Sequence, residues 1–327
     1  MVGSRRTTSV PLRVLRDGAV LVGSAVGALV GVGVLTVAEG FLARSRLVPQ
    51  GSVSVSAPAG LFGQEHEGEP IELLLMGDSL AVGYGADQPS ETVGVMLATG
   101  LATASERPVR LTNVARIGAE SADLPTQLAS ATGAGMRPGV AVIVIGANDV
   151  MHLKRLVDAL QPLRATVSEL HRMGVETVVA TCPDLGTVRP FFQPLRFFAH
   201  WLSRLLATSQ TIVVLRAGGR TVSLADTLGP LFHREPTAMF SKLDRLHPSG
   251  LGYAQAARVL LPSVRVAAGY PTSTDAVGRH HRIYRKGRKH PLAWLAFRAS
   301  RRIGMELSTT GGAQGAAVGV ERSAAAG

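Results

Sequence analysis

Between residues 70 and 268 the chain alternates short apolar runs with longer amphipathic ones. Five runs, 71–76 (IELLLM), 109–115 (VRLTNVA), 140–145 (VAVIVI), 175–181 (VETVVAT) and 221–225 (TVSLA), are rich in leucine or β-branched residues and lack polar alternation. That is the pattern of strands covered on both faces. Between and after them the spacing predicts helices over 90–103 with Ser90 as N-cap, 121–131, 153–173 ending at Gly174, 195–216, and 249–266 after Pro248. Regular strand–helix alternation implies right-handed crossovers and a five-stranded parallel sheet between two helical layers. No internal repeat interrupts the pattern.

The flanks read differently. Residues 1–18 are basic, and 19–38 (AVLVGSAVGALVGVGVLTVA) hold 20 residues without a charge. As a helix that run would rise ~30 Å, enough to cross a bilayer. Arg5, Arg6, Arg13 and Arg16 precede it, against Arg44 and Arg46 after it, which favours a single-pass anchor with the domain outside the cytoplasm. A cleaved signal peptide is the rival; its apolar region is normally shorter, and no small-x-small site follows. The Arg5-Arg6 pair resembles a twin-arginine signal only faintly, because the apolar run starts late. Residues 39–69 read as a linker, Pro-, Gly- and Ser-bearing from 47 on. Residues 269–327 read as a basic, then small-residue tail, for which disorder is the expectation.

A chain of 327 residues with 46% hydrophobic and 17% charged residues can bury a sizeable core. Net charge is +11, and nine Arg or Lys without one acid fall within 279–302. Such a run can meet anionic lipid, an acidic polymer or nucleic acid. Nucleic acid is disfavoured, since few aromatics interleave the charges and the run lies outside the fold. Cys182 is the single cysteine, so no internal disulfide forms, and its apolar surroundings suit an inert buried thiol. No CxxC or HxxxH spacing points to a metal, and the glycines at 83, 85 and 94 do not make GxGxxG, so neither metal nor cofactor is expected.

The chemistry gathers at strand ends. The first strand runs into MGDSLAVGYG, presenting Ser79; RIGAES follows the second, with Gly118; GAND follows the third, with Asn148. In a parallel α/β sheet these loops converge on one edge, where ligands bind. The last helix follows LDRLHPSG, in which Asp244 precedes His247 by three residues. A turn of that length brings the carboxylate to Nδ1 and leaves Nε2 free to take a serine proton. The N–H groups of Ser79 and Gly118 and the Asn148 amide can hold an oxyanion. Asp78 and Asp149 flank these groups as candidate hydrogen-bond acceptors. His152, His171, His200 and His233 have no acid at suitable spacing and read as surface or core residues. The aromatic segment 190–202 (PFFQPLRFFAHWL) reads as core-facing, with an acyl-chain wall as the alternative. There is no GxSxG, which disfavours the ordinary α/β-hydrolase arrangement.

These four blocks, MGDSLAVGYG, NVARIGAES, VIVIGANDV and DRLHPSGLGYAQAA, resemble those of the SGNH hydrolases, or GDSL esterases and lipases, in the family's order. The resemblance covers about 70–268 and implies a flavodoxin-like α/β/α sandwich. It implies metal-free cleavage of an ester by Ser79, His247 and Asp244, with Ser79, Gly118 and Asn148 as the oxyanion hole. The substrate is expected to be a small-molecule, lipid or glycan ester. Two alternatives stay open: acyl transfer to an envelope glycan, and a surface-tethered binding module without turnover.

Overall fold

The computed structural model describes residues 57–270 and the short strand Leu307–Ser308. Seven strands form one mixed sheet: β1 (Gly60–Phe62), β2 (Ile71–Gly77), β3 (Val109–Asn113), β4 (Val140–Val144), β5 (Glu176–Thr181), β6 (Arg220–Ser223) and β7 (Leu307–Ser308). Their spatial order is β1-β3-β2-β4-β5-β6-β7. The five expected strands are the parallel core of that sheet. Their order reverses between β2 and β4, the flavodoxin-like arrangement with its ligand crevice at that switch point.

The expectation of a purely parallel, five-stranded sheet is corrected at both edges. β1 pairs antiparallel with β3 inside the segment read as linker, and β7 pairs parallel with β6 from within the tail. Both cover edges that would otherwise expose unpaired N–H and C=O groups. Segments of three and two residues carry no periodic signal that sequence reasoning could use.

Alternate side chains of each central strand enter opposite cores. Leu73 and Leu75 of β2 and Val140, Val142 and Val144 of β4 face one core. Leu74, Met76, Ala141 and Ile143 face the other. The first core is closed by helices α1 (Val93–Ser105) and α5 (Gly250–Ala267), the second by α2 (Leu124–Gly133) and α3 (Leu156–Arg172). Helix α4 (Leu195–Arg216) runs beside β5 and β6 and contributes to both. This is the three-layer sandwich that apolar, non-alternating strands require.

Helix ends differ from expectation where polar side chains or turns intervene. α1 starts at Val93, because Pro89–Glu91 form a separate 3-10 turn and Ser90 does not cap it. α3 starts at Leu156; Leu153 has φ +51 and turns the chain between Ala147–Met151 and α3. Ser223 caps a helical turn over Leu224–Thr227 and so ends β6 early. Ser249 caps α5, which starts at Gly250, its Oγ accepting from Gly252 N–H at 3.2 Å. The apolar run 19–38 and the basic run 279–302 lie outside the described residues. Among the described residues no helix is long and apolar enough to cross a membrane.

Candidate active site

Ser79 opens a four-residue helical turn, Ser79–Val82, directly after β2. The chain must bend sharply there against β4. Gly77 has φ +134, and a Cβ on it would lie 1.9 Å from the Val144 carbonyl oxygen, so only glycine fits. The bend is held from the side by a buried amide: Gly77 N–H donates to Gln127 Oε1 at 2.8 Å, and Gln127 Nε2 donates to Gly77 C=O at 2.9 Å. Asp78 is fully buried and caps the turn, Oδ1 accepting from Leu80 N–H at 2.9 Å. Its other oxygen has no hydrogen-bond partner. Burial pushes the Asp78 carboxyl up to about 7, against the opposing pull of Leu80 N–H and His247 and with a further push from Asp149.

His247 is delivered from the opposite end of the domain by a loop that its own acid shapes. Asp244 Oδ1 accepts from Leu246 N–H at 2.9 Å and His247 N–H at 3.0 Å, closing a turn through its side chain. Asp244 Oδ2 lies 2.5 Å from His247 Nδ1, and His247 Nε2 lies 2.8 Å from Ser79 Oγ. Burial alone would raise the Asp244 carboxyl, but the hydrogen bond and charge of His247, with the two N–H groups, hold it below its ordinary value. The imidazole also meets the Tyr84 ring edge-on, centroids 4.7 Å apart. Gly85 has φ +95, and a Cβ there would lie 2.9 Å from His247 Cβ, so the loop after Ser79 packs directly on the histidine.

Two further loops complete the edge. Gly118 has φ +78 and nothing lies within 4 Å of a would-be Cβ, so the left-handed backbone rather than crowding favours glycine there. Among the described residues the N–H groups of Ser79 and Gly118 donate to no protein acceptor. Asn148 Nδ2 donates to Ala119 C=O at 2.9 Å, which fixes the amide and leaves its second hydrogen for a ligand. Asp149, buried and raised by that burial, accepts from Ser121 N–H at 3.2 Å and Ser121 Oγ at 2.9 Å. His152 Nδ1 lies 2.6 Å from Glu120 Oε1, and Lys154 Nζ 2.9 Å from Glu120 Oε2. The Gly118 and Asn148 loops are therefore locked to each other.

All five sequence-derived residues thus gather at the carboxyl edge of β2, β3 and β4. Sequence reasoning missed Tyr84, Gln127, Ala119 and Gln210, whose amide ties Cys182 N–H (2.8 Å) to Ile145 C=O (3.1 Å). It also left His152 and His200 without acids. The structure corrects both: Glu120 meets His152, and His200 Nδ1 lies 2.9 Å from Asp184. These pairs join residues 32 and 16 apart in sequence, so no local spacing reveals them. Burial raises the Cys182 thiol well above its usual value, as an inert thiol requires. Among the described residues no three His, Cys, Asp or Glu side chains group as a metal site.

Chemically, the arrangement offers a hydroxyl in contact with an imidazole and a carboxylate behind that imidazole. A model of the GDSL-like Lipase/Acylhydrolase family matches residues 75–255. A GDSL-like esterase of Mycobacterium tuberculosis is 41% identical over 197 residues, which are 60% of this chain and 62% of that protein. The chain therefore spans less than two thirds of that relative's length. A catalytic mutant of an acetylxylan esterase from Geobacillus stearothermophilus aligns over 63% of this chain and 99% of its own, with 19% identity and a TM-score of 0.47.

Proposed function

The chain belongs to the GDSL-like Lipase/Acylhydrolase family, and from that premise we propose that it is a serine esterase working through an acyl-enzyme. The observation that carries this reading is the unbroken chain of contacts from Asp244 to His247 (2.5 Å) to Ser79 (2.8 Å).

Ser79 Oγ attacks the acyl carbonyl carbon while His247 Nε2 takes its proton. Asp244 keeps the Nδ1 proton in place and stabilises the imidazolium. The negative oxygen of the tetrahedral centre is held by Ser79 N–H, Gly118 N–H and the free hydrogen of the Asn148 amide. His247 then protonates the departing alkoxide, leaving the acyl group on Ser79. A water, deprotonated by His247, attacks that ester; collapse releases the carboxylic acid and returns the proton to Ser79.

The residue roles rest on geometry and chemistry together. Ser79 is 8% exposed, enough to meet substrate while most water is kept off the hydroxyl. The domain assignment of 70–268, the anchor at 19–38 and an extracytoplasmic location are part of the same proposal; they rest on the sequence pattern and its flanking arginines.

The test is hydrolysis of a short-chain aryl ester by wild type and Ser79→Ala. The variant is expected to lose about 10^4-fold or more in kcat, with an unchanged far-ultraviolet spectrum. Turnover equal to wild type would remove Ser79 from the chemistry.

A further inference from the structure

The first turns of α4 are built inside out. Phe197, Phe198, Trp201, Leu202 and Leu205 face solvent, while Ser203 and Arg204 are buried. The exposure is large: 54% for Phe197, 52% for Trp201 and 62% for Phe192 just before the helix.

Polar anchors hold this orientation. Ser203 Oγ accepts from Leu185 N–H at 3.2 Å. Arg204 pairs with Asp226 and lies 3.8 Å from Asp184, which also meets His200. Rotating the helix to bury its aromatics would tear a buried arginine from its carboxylates. The apolar stripe is therefore a fixed surface. It continues across a groove shared with the turn before α3, where Leu153 and Leu156 face Leu202 and Leu205. That groove reaches Asp149, next in sequence to Asn148.

Charge decides what fits it. From Leu185 to Arg216 there is no acid; Arg204 is buried against its carboxylates and Arg196 is held by the Gly186 carbonyl, so the exposed charges along this stretch are Arg189 and Arg216. Lys154 and Arg155 stand on the neighbouring turn; Glu120 lies 2.9 Å from the first and Asp158 3.9 Å from the second. A second copy docked on this face would bring the same exposed Arg189 and Arg216 with no acid from α4 to pair them. The chain's own apolar segment 19–38 is flanked by Arg13, Arg16, Arg44 and Arg46 and meets the same objection. An anionic lipid surface satisfies both halves, taking phenylalanine, tryptophan and leucine into the headgroup–acyl boundary and arginine and lysine at its phosphates.

We propose that the outward face of α4, with the turn at Leu153–Leu156, docks the domain on an anionic membrane surface. The inference is independent of the esterase reading.

Trp201 reports on the face directly. The chain's other tryptophan is Trp294, outside the described residues, so full-length Trp294→Phe carries one probe. It is mixed with phosphatidylglycerol–phosphatidylcholine vesicles bearing brominated acyl chains. The expected result is a blue-shifted Trp201 emission, quenching by the brominated chains, and a several-fold drop in acrylamide quenching. Adding Phe197→Ser and Phe198→Ser should abolish the lipid quenching while the circular dichroism spectrum and melting point hold. If vesicle-bound protein keeps Trp201 fully open to acrylamide, the proposal fails. It also fails if Trp201 is already shielded before vesicles are added, since another part of the chain or a second copy then covers the face. Equal quenching in pure phosphatidylcholine overturns the charge preference.

Discussion

At the scale of single residues, Asp78 is the most exposed to pH. It has one satisfied oxygen, one without a partner and no access to water, and burial lifts it from 3.8 to about 7. A carboxyl whose folded value lies above its unfolded one binds more protons in the native state. Its linkage therefore lowers stability as pH rises from the unfolded value through the folded one. Asp244 has the opposite sign: its value is lowered on folding, so its contribution is present above the unfolded value and is lost in acid. Asn caps a helical turn about as well as Asp. Asp78→Asn should thus keep the bond from Leu80 N–H while removing the titration. The expected outcome is a higher melting temperature than wild type at about pH 8, with the difference shrinking towards about pH 5. Melting curves across that range check it, and a variant less stable than wild type at the alkaline end would contradict the account.

At the scale of elements, the active-site edge is set by buried amides that clamp strand ends. Gln127 reaches from α2 to both polar groups of Gly77, and Gln210 reaches from α4 to β4 and β5 at Ile145 and Cys182. Gly77 C=O keeps a second donor, Arg116 N–H at 3.1 Å, whereas Gly77 N–H has Gln127 alone. Gln127→Leu should therefore strand one buried donor and cost about 1–3 kcal/mol, measured by urea unfolding, and should lower ester turnover beyond the fraction unfolded. A loss of stability with fully retained turnover would make the clamp purely structural. These clamps also mark the limit of what the sequence discloses. The five central strands, the long helices and the residues Ser79, Asp244 and His247 are legible because their constraints are local. They show as two-sided burial, a strand–turn serine, and an acid and base three residues apart in one loop. Gln127 and Gly77 are 50 residues apart, and Gln210 and Ile145 are 65 apart. Neither pairing leaves a period or motif. The same holds for Glu120 with His152, and for α4, whose hydrophobic residues suggested a core-facing helix. Its inward face keeps Ala199, Leu206 and Ala207 but is shared with Ser203 and Arg204, whose partners lie elsewhere in the chain, while Phe197, Phe198 and Trp201 turn outward.

At the scale of the whole molecule, charge and fold are separated. Residues 57–270 carry 18 Lys or Arg and 18 Asp or Glu, so the entire net charge of +11 belongs to the segments outside them. The strong basicity of the chain, pI near 10.9, therefore says nothing about the candidate active site, where Asp244 meets His247 and Glu120 meets Lys154. Charges farther apart than about 8 Å are largely screened at physiological salt, and the prediction is that the flanks act on what the protein meets rather than on the chemistry at Ser79. Replacing the nine Lys and Arg of 279–302 with Gln would bring the net charge from +11 to +2. The variant should leave a cation-exchange column at much lower salt, while its melting temperature and its turnover of an uncharged, water-soluble ester stay at wild-type values. A several-fold fall in that turnover would mean that the basic run folds back over the carboxyl edge of the sheet and takes part in the site, and the separation of charge from chemistry would have to be abandoned.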